Sequence, residues 1–246
     1  MYKKAIYRIV ENHPLTSAVW RMRLAGDTQW ITRPGQFVNI AIEGLYLRRP
    51  ISVSDYDAEG ITLIYKVVGE GTRRLSQMPA GTQLDLLTGL GNGFSTDVAA
   101  RKPLLVGGGV GVPPLYNLAK QLLAQGKEVK VILGFNTAEE LFYEEEFRRL
   151  GAETYVATAD GSRGVKGFVT TAIKECGVDF DYFYACGPLP MLKALYDATE
   201  VDGELSFEER MGCGFGACMG CSCQTKYGAK RICKDGPVLK KEEIIW

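Results

Sequence analysis

The chain has 246 residues, 46% hydrophobic and 24% charged, with 29 Lys and Arg matched by 29 Asp and Glu. This is ordinary globular composition, and a net charge of zero argues against nucleic-acid or anionic-membrane partners. The most apolar stretch, Pro103 to Ala119, is too interrupted by glycine and proline to span a bilayer, and the single histidine, His13, reads as a surface turn residue beside Pro14. Histidine-based triad or acid–base chemistry is therefore not expected.

Residues 1–100 read as a β-rich unit. Short alternating or β-branched runs occur at Ala5–Val10, Ala18–Leu24, Gln36–Ile42, Ile51–Ser54, Ile61–Val68 and Gln83–Leu87. Turn residues separate them, which predicts a small antiparallel barrel with one short helix near Thr72–Gln77. The opening Met1-Tyr2-Lys3-Lys4 has no apolar core for export, so the cytoplasm is the expected compartment.

Residues 101–200 change to alternating strands and helices. The strand Pro103–Val106 leads into helix Pro114–Gln125. Then come strand Val129–Gly134, helix Ala138–Leu150, strand Thr154–Thr158, helix Val169–Cys176, strand Tyr182–Cys186 and helix Pro190–Thr199. This is the pattern of a doubly wound parallel sheet, which takes ligands at the C-terminal ends of its strands.

Residues 201–246 form a cysteine segment too short for a large core, so a metal group is expected to staple it. A hairpin is predicted with its turn at Gly228–Arg231.

Chemistry concentrates at a few motifs. Gly107, Gly108, Gly109 and Gly111 lie between a strand and a helix, where glycine lets the backbone approach a pyrophosphate. The G-x-G-x-x-G register is not met, because the sixth position is Val112 or Pro114, and a tight strand–helix turn is the plain alternative. Gly161 to Gly167 and Cys186-Gly187-Pro188 should share that sheet edge, the thiol near a nicotinamide or simply a small buried residue.

In the first unit, Arg49-Pro50-Ile51-Ser52 offers a cation for a diphosphate and a hydroxyl for a flavin edge. Ile64-Tyr65-Lys66 and Gly71-Thr72 could pack on a flavin and hold a phosphate; taken singly, Tyr65 reads as a strand residue and Thr72 as an N-cap. Arg48 reads as a solvated neighbour of Arg49.

Cys213, Cys218, Cys221 and Cys233 follow C-x4-C-x2-C-x11-C, the plant-type ligand spacing for a [2Fe–2S] cluster. Glycines around them allow a tight loop whose N–H groups can face the sulfurs. Structural zinc usually shows two separated C-x2-C pairs, and seven cysteines without an export segment do not suit disulfides. Cys223 is left outside the ligand set.

Taken together, these motifs and their order resemble the ferredoxin reductase superfamily. The cysteine tail, in particular Glu209 to Cys223 and Cys233 to Pro237, is similar to the electron-transfer subunits of type B dihydroorotate dehydrogenases, a family of NAD-linked oxidoreductases in pyrimidine biosynthesis. The resemblance covers essentially the whole chain.

It implies FAD at Arg49–Ser52, Ile64–Lys66 and Gly71-Thr72, the cluster on the four cysteines, and NAD at the glycine and Cys186 edge. It also implies a separate FMN-containing catalytic subunit that oxidises dihydroorotate, in a heterotetramer with two subunits of each kind. Lys66 departs from the arginine common in relatives and loses a bidentate fork.

The acidic run Glu139, Glu140, Glu144, Glu145 and Glu146 favours NAD over NADP; Arg163 and Lys166 weigh weakly the other way. Two alternatives remain open: an NAD(P)H–ferredoxin or sulfide-type reductase or hydrogenase diaphorase subunit, and a zinc-stabilised binding module.

Overall fold

The computed structural model describes residues 2–246. Six antiparallel strands close a barrel in the order β1-β2-β5-β4-β3-β6. They are β1 (Lys3–Pro14), β2 (Val19–Ala25), β3 (Phe37–Ile40), β4 (Arg49–Tyr56), β5 (Gly60–Lys66) and β6 (Gln83–Leu90), with helix α1 (Glu70–Ser76) between the last two.

Alternation sets the barrel interior. In β6 every second residue is buried, and Tyr7, Ile9, Met22, Leu24, Val38, Ile40 and Leu63 meet inside. β5 is buried along almost its whole length because it is covered on both sides. Leu63 and Tyr65 face the barrel core, while Ile64 joins the core shared with the next layer. His13 lies near the end of β1 opposite Arg21, exposed, rather than in a turn.

The second body is a seven-stranded sheet, ordered β10-β9-β8-β7-β11-β12-β15. Its strands β7 (Pro103–Gly108), β8 (Lys130–Phe135), β9 (Glu153–Thr158), β10 (Val165–Lys166), β11 (Tyr182–Cys186) and β12 (Gly203–Ser206) are parallel; β15 (Val238–Lys240) runs antiparallel on the edge.

Helices α2 (Pro114–Ala124) and α3 (Glu144–Leu150) cover the face carrying Leu105, Val131 and Leu133. Helices α4 (Val169–Glu175) and α5 (Leu189–Ala198) cover the face carrying Leu104, Val106 and Ile132. Strand order reverses between β7 and β11, which opens a crevice at their C-terminal ends.

Three further expectations change. The helix expected over Ala138–Leu150 is a 3-10 turn, Ala138–Glu140, followed by a break before α3. Phe142 packs against Phe135 at 5.2 Å and Tyr143 against Tyr116 at 5.1 Å. Tyr143 takes a left-handed φ of 69° at the break, so core packing overrides helix propensity there.

The hairpin of β13 (Ser222–Thr225) and β14 (Gly228–Arg231) turns at Lys226-Tyr227, with Thr225 opposite Gly228, earlier than expected. The cysteine segment is also not held by a metal group alone. It contributes β12 and β15 to the large sheet, and Asn92 brackets Val238 with hydrogen bonds of 2.7 and 3.1 Å. Among the described residues, no helix is long and apolar enough to cross a membrane.

Candidate functional site

β4 presents the first motif. Asn39 pairs with Pro50, Val38 with Ile51 and Phe37 with Ser52 across the β3–β4 ladder. Val38 and Ile51 face the barrel core, so Pro50 and Ser52 share the outer face with Asn39 and Phe37. Arg49, at the start of β4, lies over α1: a Cβ on Gly71 would come within 2.3 Å of Arg49 Nε.

Leu47 and Val68, which flank Arg49 and the start of α1 in sequence, are exposed. A cation above a helix start with uncovered apolar residues around it fits a diphosphate-linked aromatic cofactor.

Other residues of this group take different roles from those expected. Thr72 is not the N-cap; it stands at the third helical position, where its hydroxyl accepts from the N–H groups of Val68 (3.0 Å) and Gly69 (3.3 Å). Tyr65 is buried, its hydroxyl donates to Asn12 Oδ1 at 3.0 Å, and burial pushes that hydroxyl well above its usual pKa. Only its backbone is left to meet a ligand. Lys66 is exposed at the strand end.

Arg48 is not a solvated neighbour. Its guanidinium donates to the carbonyls of Asn39 (3.2 Å) and Asp85 (3.0 Å) and to Asp85 Oδ1 (2.9 Å). Burial works against the Asp85 charge, but Lys4 and Arg48 outweigh it and hold the carboxyl below its usual range.

At the sheet edge, Gly107 pairs with Cys186, and a Cβ on Gly111 would meet the Cys186 carbonyl at 2.2 Å. These glycines let the β7 and β11 turns touch, which brings Gly107–Gly111 and Cys186–Pro188 together. Gly109 differs: its φ is +52° and a side chain there would enter open space. It is the position at which backbone can meet a ligand.

The 3-10 turn Gly109–Gly111 lies against β5, so this edge adjoins the barrel. Burial pushes the Cys186 thiol up to about 12, against a hydrogen bond with Ser206, so it remains protonated. Beyond β9, Arg163 is claimed by Glu144 through contacts of 3.1 to 3.4 Å, and Arg148 reaches the same carboxylate at 2.7 Å. The Arg163 charge that weighed towards NADP is thereby paired, while Lys166 stays exposed.

The four cysteines come together as two pairs. Cys213 contacts Cys218, and Cys221 contacts Cys233. Among the described residues, no three His, Cys, Asp or Glu side chains converge as a single ion requires. Backbone N–H groups face the sulfurs: those of Ala217 (3.2 Å) and Cys218 (3.5 Å) at Cys213 Sγ, and that of Cys233 (3.4 Å) at Cys221 Sγ.

Burial opposes ionisation of Cys213. The N–H groups of Cys218, Phe215 and Ala217, with the Cys218 thiol, nevertheless bring it down to about 6. Burial, then the hydrogen bond and charge of Cys221, push Cys233 up to about 12. Two close pairs of sulfurs, with backbone N–H groups turned toward one member of each, are a donor set that positive irons would satisfy, two sulfurs to each. Arg231 braces the loop, donating to the Gly216 carbonyl at 3.0 Å and to Asp235 at 2.9 Å.

Sequence reasoning missed the joint between barrel and sheet. Asp55 of β4 accepts from Asn117 (2.7 Å) and from Lys120 (2.8 Å to each oxygen), both on α2. Nothing in the local sequence signals this pairing across 62 residues.

Residues 208–245 match the family described as the iron–sulfur cluster binding domain of dihydroorotate dehydrogenase B, and residues 105–197 match the oxidoreductase NAD-binding domain. The electron transfer subunit of dihydroorotate dehydrogenase B (NAD(+)) from Geobacillus sp. (strain WCH70) is 46% identical, with all of both chains covered. The subunit of that name from Fusobacterium nucleatum subsp. nucleatum is 45% identical over 96% of each chain.

Among solved structures, an NADH-dependent reduced ferredoxin-NADP oxidoreductase is 31% identical. It superposes with a TM-score of 0.88 over 98% of this chain and 90% of that one. A ferredoxin NADP+ reductase from Neisseria gonorrhoeae is 16% identical, with a TM-score of 0.70 over 80% of this chain and 90% of that one, and shares the fold. Full-length identity at this level, joined to a cysteine segment paired as two irons would need, means that the chain belongs to the family of electron transfer subunits of dihydroorotate dehydrogenase B (NAD(+)).

Proposed function

We propose that the chain links a dihydroorotate-oxidising, FMN-containing catalytic subunit to NAD+, holding a [2Fe–2S] cluster on Cys213, Cys218, Cys221 and Cys233 and an FAD on the barrel. The observation that carries this reading is the pairing of the four sulfurs, with backbone N–H groups aimed at two of them, in a segment seated against the barrel. When bound, the cluster supplies one-electron transfer and the flavin exchanges single electrons for hydride.

The residues of this chain bind and orient. Arg49 and the start of α1 at Gly71-Thr72 take the FAD diphosphate, Pro50 to Ser52 line the ring, and the backbone of Ile64 to Lys66 supports it. Gly109 admits the NAD pyrophosphate, Gly111 lets the Cys186 turn pack beside it, and Cys186 to Pro188 border the nicotinamide. A protonated Cys186 packs there without acting as a nucleophile.

The Glu144–Arg163 pair supports NAD over NADP. Residues 1–100, 101–200 and 201–246 act as flavin, nucleotide and cluster units, the last two sharing one sheet. The relatives' name as electron transfer subunits implies a catalytic partner. We read the assembly as a cytoplasmic heterotetramer with two subunits of each kind.

Anaerobic purification followed by absorbance, iron, sulfide and flavin analysis tests the reading. It expects two irons, two sulfides and one FAD per chain, and orotate-dependent NADH oxidation once the partner is added. A colourless chain with stoichiometric zinc would refute it. Reduction of ferredoxin without response to orotate would favour the reductase reading, which the 31%-identical structure keeps in view.

A further inference from the structure

Asn39 stands where the cluster segment meets the flavin strand. It is 1% exposed, on the outer face of β3, directly opposite Pro50. Its Nδ2 donates to the Cys213 carbonyl at 3.3 Å. The loop fits closely around it: Gly214 has φ +80°, and a Cβ there would come within 2.4 Å of Asn39 Nδ2.

The Arg48 guanidinium holds the Asn39 carbonyl from the other side. Phe37, two residues earlier on the same face, packs in one core with Cys221 and Cys233. The Asn39 Oδ1 atom, also buried, has no hydrogen-bond partner in the protein.

An unpaired buried oxygen is costly, and a leucine of similar volume would bury without that cost. The amide is therefore a poor choice for stability alone. What it provides is one directed donor, aimed at the backbone of a cysteine.

We propose that Asn39 is a positioning residue for electron exchange: it seats the Cys213 limb of the cysteine loop on the barrel face that carries Pro50 and Ser52. Electron exchange between two centres falls steeply with their separation, so a loop free to lift from this face would slow it. This rests on the assignment of Cys213 to the cluster and of β4 to the flavin.

The test uses the purified holo chain, wild type beside Asn39→Leu, which lacks the donor, and Asn39→Gln, which keeps it. Each is mixed with NADH anaerobically while the flavin and cluster bands are followed separately. Melting temperature and iron and flavin contents are measured alongside.

Asn39→Leu is expected to melt within a few degrees of wild type, with the flavin band bleaching at the wild-type rate and the cluster band several-fold slower. Asn39→Gln should bring the cluster rate back to within about twofold of wild type. Loss of iron at unchanged melting temperature, restored by Asn39→Gln, supports the proposal too.

It is overturned if both bands of Asn39→Leu bleach at wild-type rates. It is equally overturned if Asn39→Leu melts more than about 5 °C lower or does not fold, because the amide then serves folding. A wild-type chain lacking iron or flavin would instead overturn the reading beneath it.

Discussion

Replacing Asp55 by alanine should loosen the joint that holds β4 against α2. The Asp55 carboxylate accepts from Asn117 at 2.7 Å and from Lys120 at 2.8 Å. Asn117 is only 4% exposed, so its amide would lose an acceptor that water cannot easily replace, at about 1–3 kcal/mol. The Lys120 and Asp55 side chains are 38% and 24% exposed, which limits that ion pair to about 0.2–1 kcal/mol.

The sum, about 1–4 kcal/mol, corresponds to a drop of about 3–15 °C in melting temperature for a chain of this length. Asp55→Asn keeps an acceptor for Asn117, and Lys120→Met removes only the exposed partner; each should cost less than about 1 kcal/mol. Differential scanning calorimetry on the holo protein gives the order.

Stopped-flow reduction by NADH reads the consequence. Asp55→Ala should slow flavin reduction more than it lowers FAD content, because hydride transfer depends on close ring placement. If Lys120→Met proves as damaging as Asp55→Ala, or if Asp55→Ala changes stability by under about 0.5 kcal/mol, the buried-amide argument is wrong.

Glu144→Gln should release Arg163 and raise the ratio of NADPH to NADH turnover several-fold, and adding Arg163→Ala should return it to the wild-type value. Cys233→Ala should abolish cluster iron, whereas Cys223→Ala should retain it, by metal analysis of anaerobically purified protein. Glu204 is buried, which pushes its carboxyl above the usual range against hydrogen bonds from Ser95 and the charge of Lys240. The folded chain thus holds this proton more tightly than the unfolded one. Stability falls as pH climbs from the ordinary glutamate range through the raised value and stays lower above it. Glu204→Gln should therefore raise the melting temperature at pH 7 and leave it unchanged below about pH 4.

The arrangement of six barrel strands, then alternating strands and helices, then a cysteine loop was legible in the sequence because each rests on local periodicity and turn residues. The motif residues were legible for the same reason: strand–glycine–helix junctions and cysteine spacings are short-range patterns. The helix break at Leu141–Tyr143 was not, because it follows from where Phe142 and Tyr143 find aromatic partners. β12 and β15 were not, because strands of four and three residues carry too little pattern and are defined by the sheet edge they join.

By itself the sequence determined which chemical groups this protein has: four thiols at cluster spacing, glycines at a strand end, one arginine at the start of β4. Only the tertiary structure decided what those groups face. It turned Arg48 and Thr72 into structural anchors, buried Tyr65 in the barrel, tied Arg163 to Glu144, and set Asn39 between the cysteine loop and Pro50. The reason is physical: residue type and spacing fix local geometry, whereas burial and long-range pairing arise only when distant segments pack.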